Sequence, residues 1–314
     1  MTEDRIIAKI AELFYIYDIN QYEIAKKFNF SKAKVCRLIK EAKNKNIIEF
    51  NIKKFDNRIL AIERELEELY GINEVIIYYD SDLEQDDEGI IFNEVGALGA
   101  EYFERIIDDN LNIALTWGRT LYSFIEKIKI DRKYNLNIFS TLGGVNLITP
   151  EYQNNYLIQM LSGKIGGQAF PIYLPLILEK SAHKELLDKE NNIIKVLGSY
   201  QKIDYYFTSV GTISEKSRLY TFHGFDLDFL KQLSKKGIVG EFGLHFFDIN
   251  GNFIDSGIEK RVINLPVEEI RQMKTKVAIV FGKEKIEAIR GFLKTGICDV
   301  FITDSLTAEA IISR

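Results

Sequence analysis

The 314 residues include only 2 cysteines, 3 histidines, 3 methionines, 4 prolines and 1 tryptophan, and most of these scarcities remove a class of protein. Cys36 and Cys298 lie far apart and share no CxxC spacing, which leaves neither a disulfide framework nor a zinc site to expect. His183, His223 and His245 show no metal-ligand spacing, so no metal and no cofactor is expected. The longest strongly apolar run, residues 170–178, contains Pro171 and Pro175. It falls far short of the roughly 20 residues that a membrane-spanning helix needs. No signal-peptide pattern opens the chain, so a cytoplasmic protein without a membrane partner is expected. Fixed-period repeats and low-complexity tracts are missing too, which excludes a solenoid.

What is present is unevenly charged. Residues 1–55 hold 12 Lys and Arg against 7 Asp and Glu, whereas the rest of the chain holds 29 against 39. Nonspecific affinity for DNA comes mainly from phosphate neutralisation, so a basic excess confined to one end marks that end as the nucleic-acid face. The pattern there is helical. Ile6, Ile7, Ile10, Leu13 and Phe14 stripe a first helix over 5–17, and Ile24, Ala25 and Phe28 share the face of a second. Asn29 and Phe30 break it, and Ser31 can cap a third helix whose Val35, Leu38, Ile39 and Ala42 turn inward. Three such helices make a helix-turn-helix unit, and the alternating run 47–52 suits the strand of a winged variant. Lys32, Lys34 and Arg37 then face outward as base readers, with Ala33 placed against a thymine methyl and Gln21, Ser31 and Lys40 on phosphates.

Residues 55–71 form a joint in which Ile59, Ile62, Leu66 and Leu69 recur at three- and four-residue steps. A helix packed on the larger domain and a short dimer-forming coil both fit this seam. From residue 72 onward β-rich runs alternate with amphipathic stretches, as in a parallel sheet covered by helices. Strands are placed at 75–79, 112–116, 137–141, 169–173, 205–210, 277–281 and 300–303, with a hairpin of 241–248 and 252–255 about the turn Ile249-Asn250-Gly251. Four strands run into glycine turns: TWGRT at 116–120, TLGGVN at 141–146, VGTIS at 210–214 and FGKEK at 281–285. Such turns meet along the carboxyl edge of a parallel sheet, where ligands bind. Gly118, Arg119 and Thr120 at a helix start outline an anion site. With Glu241 and either Lys283 or Lys285 nearby they favour a small phosphorylated or polyhydroxylated ligand.

Taken together these segments resemble the SorC family of sugar-responsive bacterial transcriptional regulators over nearly the full length. SKAKVCRLIKEAKNKNII at 31–48 is similar to that family's recognition helix and wing, and LTWGRTL at 115–121 to its effector-site turn. The stretches 237–272 and 282–312 resemble its C-terminal half in order and spacing. The resemblance implies an α/β protein, an N-terminal winged helix-turn-helix (1–55) joined by a linker helix (56–71) to a Rossmann-like parallel-sheet effector domain (72–314) like that of sugar-phosphate isomerases. It implies a double-stranded DNA operator and a sugar or sugar-phosphate effector as partners, and a homodimer or homotetramer. Carried over by position, Gly118, Arg119 and Thr120 hold the effector's phosphate, Lys285 opens the KxxAI helix, Glu241 accepts from sugar hydroxyls, and Gly143, Gly144 and Gly211 line the same pocket. Two departures stand out. LGGVN carries no lysine for an imine, and Thr212 replaces the family's commoner second glycine.

The expected function is an effector-controlled transcriptional regulator, a repressor of a carbohydrate catabolic operon, and not an enzyme. The alternative is a sugar-phosphate isomerase- or deaminase-like enzyme with a DNA-binding appendage, for which Glu241 would move the proton. No His or Asp stands in the glycine turns to partner it. A constitutive DNA-organising protein would leave the large acidic domain without a role.

Overall fold

A computed structural model describes residues 3–48, 57–81, 88–145, 150–187, 202–215, 217 and 225–313. The chain divides into two compact units, residues 1–57 and 58–314. In the smaller unit, helices α1 (Glu3–Tyr15), α2 (Gln21–Phe28) and α3 (Lys32–Asn44) close around Ile7, Ile10, Ala11, Ile24, Val35, Leu38, Ile39 and Ala42. Local chemistry sets their ends. Asn20 caps α2 by accepting the N–H groups of Tyr22 and Glu23 at 3.1 and 3.0 Å. Asn29 ends it in the left-handed region at φ 53°, and Ser31 caps α3 by accepting the Lys34 N–H at 3.2 Å. Of the expected wing, Ile47 and Ile48 form a bend packed on this core, while 49–52 lie outside the described residues.

The larger unit is built on a seven-stranded, wholly parallel sheet ordered β1-β10-β9-β5-β2-β3-β4. Its strands are β1 (Glu74–Tyr78), β2 (Asn112–Leu115), β3 (Asn137–Ser140), β4 (Gln168–Phe170), β5 (Tyr205–Thr208), β9 (Thr275–Ile279) and β10 (Val300–Asp304). Successive side chains enter opposite cores. Ile113 and Leu115 meet helices α5 (Glu88–Ile106), α6 (Arg119–Lys127) and α7 (Asn154–Ile165), while Ala114 faces α4 (Asn57–Tyr70), α11 (Ile286–Lys294) and α12 (Ser305–Ile312). Both faces are therefore apolar, which explains why each strand reads as a short unbroken hydrophobic run. Three further short helices are α8 (Ser181–Leu187), α9 (Leu227–Lys235) and α10 (Val267–Gln272), the last of which buries Ile270 in the same core as Ala114.

A second sheet, β6 (Gly211–Thr212), β7 (Ile238–Phe242) and β8 (His245–Asp248), is antiparallel. It corrects the expected hairpin. The main ladder turns at Gly243 and Leu244, whose φ values of 55° and 63° have the consecutive positive signs of a primed hairpin turn. The chain does reverse again at Asn250-Gly251, but among the described residues that second arm is reduced to a bridge between Phe247 and Phe253.

Helix α4 belongs to the larger unit. Ile59 and Leu66 are buried in its core, and Leu69 stays 59% exposed. The helix also closes the outer edge of β1, where Glu67 accepts the Val75 N–H at 2.9 Å and Glu63 the Ile77 N–H at 3.0 Å. Leu66→Ala should thus cost about 2–5 kcal/mol in urea unfolding. Leu69→Ala should stay within about 0.5 kcal/mol; a large loss there, dependent on protein concentration, would restore the dimer-coil reading of the seam.

Candidate functional site

The strand order places a switch point between β2 and β5. From β2 the chain proceeds outward to β3 and β4, and from β5 it proceeds the other way to β9 and β10. Loops leave a crevice at such a point, beyond the carboxyl ends of the strands. The two central exits are tied by the Thr116 hydroxyl, which donates to Thr208 Oγ1 at 3.2 Å.

After β2 the chain turns through Trp117 and Gly118 into α6. Gly118 sits at φ 117°, a region that favours glycine, and its N–H donates to Tyr152 O at 3.0 Å. No side chain caps this helix, so its first turn offers backbone amides and the positive end of the helix dipole to an anion. Arg119 pairs with Glu88 at 3.3 Å, and its guanidinium lies 5.4 Å from the centre of the Phe92 ring. An anion arriving here competes with Glu88 for that cation. Thr120, in the first turn of α6, is buried.

Across the switch point, Gly211 pairs with Glu241 in the antiparallel sheet. The approach is close: a Cβ at 211 would stand 2.2 Å from Glu241 Oε1, so a larger residue there would displace that carboxyl. Glu241 is buried and accepts the Leu244 N–H at 2.9 Å. Burial favours its neutral form and pushes the carboxyl up to about 7, against the pull of the Leu244 N–H and of Lys285. Burial also draws the Lys285 ammonium below the ordinary lysine value; Glu284 opposes this, Arg119 adds to it and Glu241 opposes it. The electrostatics thus bring Arg119, Lys285 and Glu241 into one field. Thr212 is half-buried, and its hydroxyl is 3.3 Å from that of Ser214.

Gly143 and Gly144 are held differently from the other turns. Their N–H groups donate to Ile263 O at 2.8 Å and Leu174 O at 2.7 Å, so both amides serve chain packing and neither is open to a ligand. Sequence reasoning missed two participants. Glu88 follows an acidic stretch with nothing to signal its partner 31 residues later. Asn154 opens α7 after Gln153, and its buried amide bonds to backbone from both the β2 and β3 exits.

On the smaller unit, Ser31, Lys32, Ala33, Lys34, Arg37 and Lys40 are all exposed, and Gln21 is half-buried at the start of α2. Lys34 is less free than its neighbours, since its ammonium rests 3.8 Å from the centre of the Phe30 ring. Ser31 accepts through its oxygen as a cap, which leaves the hydroxyl proton for a phosphate. Among the described residues no cluster of His, Cys, Asp and Glu could hold a metal ion, and no helix is long and apolar enough to cross a membrane.

Residues 56–313 match the family profile described as "Putative sugar-binding domain". The chain is 25% identical to the deoxyribonucleoside regulator of Bacillus subtilis, with 99% of this chain and 98% of that protein covered. It is 26% identical to the erythritol catabolism regulatory protein EryD of Brucella abortus, over 99% and 98% of the two chains. The crystal structure of the full-length sorbitol operon regulator SorC from Klebsiella pneumoniae superposes with a TM-score of 0.74 at 21% identity, covering 99% of each chain. The protein belongs to this sugar-binding-domain family and is a SorC-family, sugar-responsive, DNA-binding transcriptional regulator. Its relatives are named as regulators.

The raised Glu241 carboxyl links the site to pH. Below the ordinary carboxylate value both folded and unfolded chains hold the proton; from there to about 7 only the folded chain does. Stability therefore falls as pH rises through that window, by about 3 kcal/mol in all. Relative to the native chain, Glu241→Gln should gain stability between pH 5 and pH 8 in urea unfolding. A difference that stays flat with pH would mean that Glu241 is ionised throughout.

Proposed function

We propose that the chain represses a carbohydrate catabolic operon and that a sugar or sugar phosphate, bound at the switch point of the parallel sheet, changes its operator affinity. The observation that carries this reading is the meeting of an uncapped helix start at Gly118, two cations and one buried carboxyl at the exits of β2, β5 and β9. An anionic group fits the α6 amides with Arg119, Thr120 and Lys285, while Glu241 takes hydroxyl hydrogens. Gly143, Gly144, Gly211 and Thr212 form the wall. The phosphorylated effector is preferred, since two cations beside a helix start recognise a charge that a free sugar lacks.

The smaller unit is the operator reader. Arg37 contacts a base, Lys32 and Lys34 lie beside it, and Gln21, Ser31 and Lys40 hold phosphates with Ala33 against a thymine methyl. Lys34 must leave the Phe30 ring to do so. One such unit binds weakly, so the working form is a cytoplasmic homodimer or homotetramer whose paired units span two half-sites. An effector changes operator affinity only by binding one arrangement better than another, typically with about 1–3 kcal/mol of coupling.

The test is a gel-retardation titration of the full-length chain on its own upstream DNA with a panel of sugars and sugar phosphates. Emission of Trp117, the single tryptophan, is followed in parallel. One phosphorylated sugar should move both signals at the same concentration. A panel that moves neither overturns the effector reading. On the DNA side, Arg37→Ala should relax sequence preference, whereas Lys40→Ala should weaken all sequences alike and lower the salt slope by about 1. Equal effects of the two changes on all sequences would remove Arg37 from the bases.

A further inference from the structure

The start of α7 holds an arrangement that no effector contact explains. Asn154 is 2% exposed and uses its whole amide on backbone and side chain from two strand exits. Its Nδ2 donates to Leu115 O at 2.7 Å and to Thr116 O at 2.5 Å, at the end of β2. Its Oδ1 accepts the N–H groups of Thr141 at 3.1 Å and Leu142 at 3.3 Å, together with the Ser140 hydroxyl, at the end of β3. Around it, Tyr152 O takes the Gly118 N–H, and the Tyr152 ring meets Tyr122 of α6 edge-on at 5.4 Å. The next residue repeats the device on a third exit. Asn155 donates to Ile172 O at 2.9 Å and accepts the Ile172 N–H at 3.1 Å, beyond β4.

Parallel strands end with unpaired carbonyls and amides, and a buried one without a partner is costly. A single carboxamide satisfies both kinds at once, because it carries two donors on one side and an acceptor on the other. Aspartate lacks the donors, lysine lacks the acceptor, and serine cannot span both strands. The residue type therefore follows from the job.

We propose that Asn154 is the positioning residue of the effector site, fixing Trp117, Gly118 and Arg119 against the β3 exit at Thr141 and Leu142. The proposal rests on the effector reading above for its function, but its geometry can be tested without any ligand. The side chain touches no proposed effector group. It acts through the Thr116 carbonyl, one residue ahead of Trp117.

The experiment is acrylamide quenching of Trp117 in the ligand-free, full-length native chain, Asn154→Ala, Asn154→Asp and Asn155→Ala. Asn154→Ala should raise the quenching constant at least twofold, and Asn155→Ala, which frees a different exit, should leave it unchanged. Asn154→Asp supplies the check on folding. Protonated aspartic acid has the shape of asparagine and one donor, so native-like quenching is expected at pH 5 and Ala-like quenching at pH 8, each normalised to the native chain because Glu241 titrates between. Unchanged quenching in Asn154→Ala overturns the proposal, and so does an aspartate variant whose ratio to the native chain is flat with pH. Inorganic phosphate added to the same samples separates the two readings. Protection of Trp117 in the native chain that weakens roughly tenfold in Asn154→Ala supports both. Phosphate without effect on a native chain whose quenching still depends on Asn154 counts against the anion site alone.

Discussion

A parallel sheet buried on both faces leaves its polar backbone nowhere to go at the strand ends, and the organisation of the larger unit follows from that constraint. Along β2 the backbone is paired on both sides, with β3 and with β5, and the alternation of Ile113, Ala114 and Leu115 fills two cores from one strand. Beyond Leu115, Ser140 and Thr208 the ladders stop. Hydroxyls and one amide take over, with Thr116 bonded to Thr208 and Asn154 bonded to both β2 and β3 exits. Groups arranged to satisfy backbone are thus already ordered where a polar ligand would arrive, and the site inherits its rigidity from the sheet.

Each cation of the candidate site has a carboxyl group near it. Arg119 leans on Glu88, and Lys285 lies within the fields of Glu284 and Glu241. Burial weakens the charged form of Lys285 and of Glu241 alike, so these two are poorly solvated in a position where an anion and a set of hydroxyls would relieve them. A ligand lacking either feature would leave one of these groups uncompensated, which is how a site of the proposed kind would gain selectivity.

Much of the molecule was legible in the sequence, for physical reasons that differ from part to part. Six of the seven parallel strands stood out within two residues, and β4 ends at Phe170, three residues earlier than expected; burial on both faces makes a strand a bounded apolar run. The Ser31 cap could be read because an N-cap acts on amides two or three residues away, whereas Asn20, which caps α2 in the same way, went unremarked. The hairpin turn was misplaced by a stronger local signal. Asn250-Gly251 is the preferred dipeptide, while the turn that carries the main ladder uses Gly243 and Leu244, a buried leucine at positive φ whose N–H donates to the Glu241 carboxyl. Glu88 and Asn154 were invisible for the opposite reason. The partner of Glu88 lies 31 residues away and those of Asn154 lie 12 to 39 residues away along the chain, and nothing local distinguishes the two from solvent-facing polar residues.

The two carboxylates on α4 reach further than edge repair. An outermost strand with open amides invites another strand to extend the sheet. Here Glu63 and Glu67 already occupy the outward N–H groups of Ile77 and Val75, and burial holds the Glu63 proton more tightly than usual, with the Ile77 amide resisting. Two copies of this chain therefore cannot be joined by continuing one sheet into the next through β1. With those amides taken, the β1 side of the sheet meets its surroundings through the side chains of α4 rather than through open backbone.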